Sequence, residues 1–456
     1  MINIFWFRKD LRVQDNTALK EFISFVSGQT GVRKNCAFIY IKNENTFSFF
    51  GTKRIEFLFK SLTYLSRELN KFGFTLQVLY GKSADVFKRL KESYGELNVY
   101  ANRQYEPYCI NRDRSINSLC SLNLFDDAML CPPSAIVKDD KSPYTIYTPF
   151  KNKFYSVTDA KQFSTKSTGF RNLQHPDVTE IIFKGSEFLN GVTSEGRGSA
   201  LKLLDRFIGN KICDYENERN FPAIEGTSKL SAHIHFGNIS IRECFAVADN
   251  LNCEGAQVWK NQLLWREFYY TITYHFPHIM TNAFQKKYDF IKWENDENKF
   301  KKWKNGETGF PIVDAAMRQL KEEGWMHNRM RMQAAMFLTK DLLIDWKWGE
   351  KYFAENLIDM DFSNNNGGWQ WCASTGCDAQ PYFRIFNPVL QSKKFDSEGN
   401  YIRRYLPELK DVPDRFIHSP EKWNKKINYP TPIINHLKMK EISIYLLKNA
   451  GTESEK

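Results

Sequence analysis

The sequence lacks the signatures of most common catalytic machineries. No Gly-x-Gly-x-x-Gly follows its first apolar run, no P-loop occurs, and there is no Ser-His-Asp spacing and no glycosidase-type carboxylate pair. These absences exclude a standard dinucleotide fingerprint, P-loop phosphoryl transfer and triad hydrolysis. An enzyme with this sequence needs a cofactor to carry its chemistry. The nine cysteines occur singly, without Cys-x-x-Cys, which argues against a disulfide framework or structural zinc and favours a reducing compartment. His233 and His235 have no carboxylate or cysteine set beside them, so no metal centre is expected. No apolar run is long enough to span a bilayer. Charge arrives at Arg8, before a secretory h-region forms. The expectation is a soluble, cytoplasmic monomer with no membrane partner.

What is present is size, aromaticity and positive charge. At 456 residues the chain exceeds one ordinary domain. The 37 Phe, 21 Tyr and 11 Trp fit either a large packed core or a pocket that stacks planar rings. The net charge of +11 favours a polyanionic partner.

Apolar runs alternate with helical periodicity over the first third. Strands are predicted at Asn3–Phe7, Cys36–Ile41, Phe74–Tyr80 and Leu97–Ala101, and helices from Thr17, over Thr52–Asn70 and near Ser83–Ser93. This order predicts a doubly wound parallel sheet over residues 1–130. Residues 131–195, opened by Cys131-Pro132-Pro133, are poor in periodicity and read as a long connector wrapping the surface. Residues 196–456 read as helical, with no convincing strand, and the tail GTESEK as frayed.

Four stretches carry polar groups where an apolar face is expected. On a helix drawn from Trp325, Asn328, Arg331, Met332 and Ala335 share a face. Trp259, Gln262 and Arg266 stack on another helix, flanked by Trp265; this is either core or a wall for a planar polar ligand. Asp359 and Asp361 are candidate partners for Arg331. The following Ser-Asn-Asn-Asn-Gly-Gly-Trp-Gln-Trp run reads as a loop open to left-handed turns and close ligand approach. Thr227, Ser228 and Ser231 sit at an expected helix N-terminus, suited to capping or to phosphate.

Together, WFRKDLRVQDN, EGTSKLSAHIHFG, LLWREFYY, GFPIVDAAMRQL, GWMHNRMRM and DFSNNNGGWQWCASTGCDAQPYFRIFNP resemble the photolyase/cryptochrome family over nearly the whole chain. Within it the chain is similar to class I cyclobutane pyrimidine dimer photolyases. The resemblance implies an N-terminal α/β domain, a long linker and an all-helical domain that holds FAD. It implies light-driven cleavage of the cyclobutane ring in DNA by an electron from excited, reduced FAD, with the dimer flipped out of the duplex. Cryptochrome-type light reception and (6-4) photoproduct repair are the alternatives on the same fold. Retained Asn365 opposes the first and Met332 the second.

By the same resemblance, Tyr215, Thr227, Ser228, Lys229, Leu230 and Ser231 match FAD-phosphate positions. Trp259, Arg331, Asp359, Met360, Asp361 and Asn365 match positions around the FAD and the substrate cavity, with Asn365 at flavin N5 as an acceptor for the reduced ring. Asn365, Gln262 and Met332 match catalytic positions. Trp265, Trp371, Asn328 and Arg266 match positions that meet the dimer; Arg219, Arg329, Arg384, Gln391 and Lys394 match positions near the DNA groove. Trp293, Trp346 and Trp369 match an electron-relay chain. Gln262 departs from the Glu usual in bacterial class I enzymes. A second, antenna chromophore is implied, methenyltetrahydrofolate or a deazaflavin. Tyr108, Cys109, Ile279 and Met280 replace the polar and Cys-Lys groups of folate-binding relatives, which points to a deazaflavin or to no antenna.

Overall fold

The computed structural model describes residues 1–451 apart from 29–33, 44–46, 164–166, 175–176, 190, 192 and 194. Most of the expected frayed tail, and Asn190 within the connector, lie outside the described residues. The chain divides into two compact units, one of Met1–Cys213 and Ser228–His275, the other of Asp214–Thr227 and Phe276–Lys456.

The first unit is built on a mostly parallel sheet. Its strands are β1 (Ile2–Phe7), β2 (Lys34–Lys42), β3 (Leu76–Tyr80), β4 (Leu97–Asn102) and β5 (Ser121–Phe125), in the order β5-β4-β1-β2-β3. All of β1 and β4 is buried, as a parallel sheet covered on both faces requires. Phe5 lies beside Phe38 of β2 and Tyr100 of β4, and Phe22 packs edge-on against Phe38. Helices α1 (Thr17–Gly28), α2 (Thr52–Asn70), α3 (Ser83–Tyr94) and α4 (Pro107–Asn117) connect the strands.

The connector holds more structure than its composition suggests. It contributes helix α5 (Tyr147–Val157) and two short strands, β6 (Val178–Glu180) on β2 and β7 (Glu187–Phe188) antiparallel to β3. Tyr147, Phe150 and Phe154, three and four residues apart, form α5's buried face. The unit continues through α6 (Arg197–Asn210), α7 (Ser231–His235), α8 (Ile241–Asp249) and the 22-residue α9 (Glu254–His275).

Buried ion pairs tie α8 to the sheet. Arg242 bridges Asp15 and Asp127, and Arg12 meets Asp127 at 2.5 Å. Burial alone would raise the Asp127 carboxyl, but Arg12 and Arg242 outweigh it and hold the group well below the usual carboxylate range.

A disulfide joins Cys213 to Cys253 across 40 positions, although the single, unclustered cysteines argue against a disulfide framework. Spacing carries no signal for it; three-dimensional packing makes it. Gly255 sits so close to the 212–213 turn that a Cβ there would lie 2.0 Å from the Ile212 carbonyl oxygen.

The second unit is helical: α10 (Glu297–Asn305), α11 (Pro311–Glu323), α12 (Asn328–Met336), α13 (Trp346–Asn356), α14 (Phe362–Ala373), α15 (Pro388–Phe395), α16 (Asn400–Tyr405), α17 (His436–Lys448) and shorter turns. One core cluster contains Trp303, Met317, Met330, Phe337, Trp346, Trp369 and Tyr401.

Candidate active site

The polar face of α12 is fixed from its first turn. The helix starts at Asn328 rather than Trp325, because the His327 side chain caps it by accepting from Arg329 N at 3.2 Å. Arg331 Nη2 forks onto both Asp359 oxygens at 2.8 and 3.1 Å, and its Nε donates to the Met326 carbonyl at 2.8 Å. The expected Arg331–carboxylate pair is therefore Arg331–Asp359. Asn328 is exposed, and its Nδ2 lies 3.8 Å from Met332 Sδ.

The Asn/Gly run expected as a loop is helix α14. Asp361 caps it, accepting from Asn364 N at 3.0 Å and Asn364 Nδ2 at 2.7 Å. The cap and the apolar anchors Trp369, Cys372 and Ala373 outweigh the turn preference of Asn and Gly. Asn365 Nδ2 donates to the Glu350 carbonyl at 3.1 Å. Its Oδ1 accepts no hydrogen bond among the described residues, so an oriented acceptor is left for an incoming N–H.

Behind Asn365 runs a buried amide chain that sequence reasoning missed. Asn366 Nδ2 donates to Glu350 Oε1 and to the Ile279 carbonyl, both at 3.0 Å. Gln370 Nε2 donates to Asn366 Oδ1 at 3.0 Å, and Gln370 Oε1 accepts from Phe284 N at 2.8 Å. Burial pushes the Glu350 carboxyl up to about 7, against the opposing bond from Asn366. The four-residue spacing of Asn366 and Gln370 is the signal that could have revealed it.

The relay tryptophans differ in enclosure. Trp346 and Trp369 are both 2% exposed and share the core cluster, while Trp293 is partly buried at its edge. The Trp369 ring rests on Gly349, where an added Cβ would lie 2.1 Å away, and meets Phe353 edge-on at 4.9 Å. Trp371, two residues on, is half-buried, as are Met332 and Met360.

Tyr215, in a single helical turn Tyr215–Glu218, is buried, with the Arg219 guanidinium 5.9 Å from its ring centre. Arg329 Nη2 donates to Asn220 Oδ1 at 2.6 Å. Burial, then the nearby Arg219 charge, lowers the Arg329 pKa. Two cations thus face one place, which an anion would relieve. Arg384 and Lys394 are exposed, and Gln391 accepts from Gln333 Nε2 at 2.8 Å. Thr227 is half-buried.

The first unit carries the other predicted residues. Lys229 has φ +52 in the turn before α7, where Leu230 N reaches Ser228 Oγ at 3.4 Å and Ser231 is exposed. On α9, Trp259 is buried edge-on to Phe207 at 5.0 Å. The half-buried Gln262 amide makes no hydrogen bond among the described residues. Trp265 stacks on Tyr147 at 3.8 Å, 10° from parallel. Arg266 turns inward, to the Ala128 carbonyl at 2.8 Å and Glu267 at 3.1 Å. His233 faces Asn238, and His235 faces Arg54.

The carboxyl ends of β1 and β4 flank the sheet's topological switch point, the usual ligand crevice of such sheets. Arg8, Asp10, Asn102 and Gln104 line it around about 30 Å³ of space.

A family model described as DNA photolyase matches residues 3–167, and one described as the FAD binding domain of DNA photolyase matches residues 259–449. The deoxyribodipyrimidine photo-lyase of Escherichia coli (strain K12) is 37% identical over 462 residues, covering 95% of this chain and 96% of its own. That of Alkalihalophilus pseudofirmus is 36% identical over 478 residues, covering 98% of each. The crystal structure of a bacterial class III photolyase from Agrobacterium tumefaciens matches with a TM-score of 0.87 and 32% identity, over 99% of this chain and 98% of that one.

Proposed function

We propose a function from one premise: this chain belongs to the DNA photolyase family. It is an FAD-dependent, light-driven DNA-repair lyase. Its substrate on this reading is the cyclobutane pyrimidine dimer, and its place is among the class I enzymes. The observation that carries the reading is Asn365, whose amide nitrogen is held by the Glu350 carbonyl while its oxygen accepts no hydrogen bond among the described residues. The class III name of the Agrobacterium neighbour favours a second reading for the class alone.

Bound FAD, reduced and excited by light, would supply the electron that splits the cyclobutane ring and would take it back once the ring has opened, so the repair step is redox-neutral. The chain's residues hold, orient and insulate. In the first unit Ser228, Lys229, Leu230 and Ser231 are proposed to hold phosphate, and Trp259 to wall the cofactor. In the second, Tyr215 and Thr227 are likewise proposed to hold phosphate, and Arg331, Asp359, Met360 and Asp361 to hold the remainder. The donor set fits: the Arg331–Asp359 pair and the Asn365 oxygen offer the charge and acceptor that a flavin edge needs.

Trp265, Trp371, Met332, Asn328 and Gln262 are proposed to meet the lesion, with Arg266 serving from its inward position to steady α9. The open Gln262 amide hydrogen-bonds a base edge without adding charge. Arg219 and Arg329, mutually repelling, together with Arg384, Gln391 and Lys394, contact the DNA backbone, so affinity falls as salt rises. Trp369, Trp346 and Trp293 would relay electrons from an external reductant to a cofactor that has become oxidised, outside the repair step itself. No step is assigned to an antenna chromophore. The protein is proposed to work as a cytoplasmic monomer.

Two oligonucleotides test the substrate reading, one with a thymine cyclobutane dimer and one with a (6-4) photoproduct. Each is illuminated with the reduced protein. Restoration of the first alone is the expected result; restoration of the second alone, or of neither, overturns the reading.

A further inference from the structure

Trp265 is proposed to meet the lesion, yet the neighbour that orients it comes from the connector, more than 100 positions upstream in sequence. Tyr147, the first residue of α5, covers one face of Trp265, with ring centres 3.8 Å apart and planes within 10°. Its hydroxyl donates to the Asn261 carbonyl at 2.7 Å, in the helical turn that also bears Gln262. Phe268 closes one edge of the indole at 5.7 Å, perpendicular to it, and Phe268 in turn packs against Phe150 of α5 at 5.5 Å. Farther along the two helices, Gln257 Nε2 reaches Tyr155 Oη at 2.9 Å. Tyr147 is buried, whereas Trp265 remains half-exposed.

We infer that Tyr147 is a positioning residue for lesion recognition: its ring braces Trp265, and its hydroxyl holds the turn carrying Gln262, so that the part of the indole left accessible by Tyr147, Phe268 and Tyr269 meets the pyrimidine rings of a damaged strand. This rests on the repair function proposed above. A tryptophan that offers one face to a planar ligand must be kept from rotating, and a stacked ring on the opposite face does this at contact distance. The apolar periodicity of α5 explains the helix's burial. It does not require a ring parallel to Trp265, since most aromatic pairs in this core meet edge-on or tilted.

The test measures binding of the FAD-loaded full-length protein, in the dark, to a single-stranded oligonucleotide with one cyclobutane dimer and to its undamaged twin. Tyr147→Ala is expected to weaken dimer binding on the order of tenfold, leaving undamaged binding unchanged. Tyr147→Phe, which keeps the ring, is expected to stay within about twofold. Tyr147→Leu keeps much of the volume without the stack and serves if the alanine variant fails to fold; it should resemble alanine. Equal loss for damaged and undamaged strands, or wild-type dimer binding by both the Ala and Leu variants, overturns the inference. Trp265→Ala separates the two levels. If it weakens dimer binding while the Tyr147 variants do not, only the brace fails; if it leaves dimer binding intact, the lesion-facing role of Trp265 fails as well.

Discussion

Trp265 and Trp369 are two indoles of one proposed machine, in two different settings. Trp265 is only partly buried and is stacked on a residue distant in sequence. Trp369 is enclosed by Gly349, Phe353 and Trp303, all within its own unit, and its Nε1 is buried without a hydrogen-bond partner among the described residues. A ring that meets a ligand must trade some burial for an open face. A ring that passes electrons needs close, dry, rigid neighbours. Enclosure, rather than residue type, separates the two tasks.

The sharpest way to break this comparison is Trp369→Phe. Photoreduction of oxidised FAD should slow by on the order of 100-fold, about 2.7 kcal/mol in barrier. Repair by chemically reduced protein should be unchanged. Loss of repair in the reduced variant would place Trp369 with Trp265, at the lesion.

A pH effect of similar size is expected at Glu350, behind Asn365. The Glu350 pKa rises from 4.5 to about 7 through burial. A carboxyl raised in the folded state is neutral in both states at low pH and resists ionising only when folded. Stability is therefore full below about 4.5 and is lost as pH rises through about 7, by up to about 3 kcal/mol for this group. Urea unfolding at pH 5 and pH 8 should show a smaller drop in Glu350→Gln than in wild type. Glu267, raised to about 7 in the first unit, contributes equally to both proteins. Identical drops would mean that Glu350 ionises freely.

A smaller effect is expected at Gly349. A methyl group there meets the Trp369 ring, so Gly349→Ala should cost about 1–3 kcal/mol by overpacking. It should also slow photoreduction, with dimer binding by Trp265 untouched. Wild-type melting and wild-type photoreduction would show that the enclosure of Trp369 is loose.

Legibility in the sequence followed how each element is stabilised. Strands β1 to β4 are mostly apolar runs, broken by single polar residues such as Asn3, Gln77 and Asn98, and are readable because both faces of the sheet are covered. The edge strand β5 is half-exposed, with the mixed pattern SLNLF, and carries no such run. The α14 helix is hidden because its Asn and Gly residues favour turns, and only the Asp361 cap with three apolar anchors reverses that preference. That Arg331 takes Asp359 or Asp361 was legible because a buried charge needs a partner; which of the two it takes was not. Tyr147, Gly349 and the Cys213–Cys253 bond were not, since each depends on a contact between distant segments. Helix α5 could have been found from Tyr147, Phe150 and Phe154, had the prolines around it not suggested a plain linker.

The most direct measurement of the central claim is the rate at which chemically reduced protein restores a dimer-containing oligonucleotide under blue light and in the dark, with Trp265→Ala alongside at sub-saturating substrate. The account predicts repair by wild type in light only, and weaker repair by the variant. Repair in the dark, no repair in light, or a variant equal to wild type would contradict it.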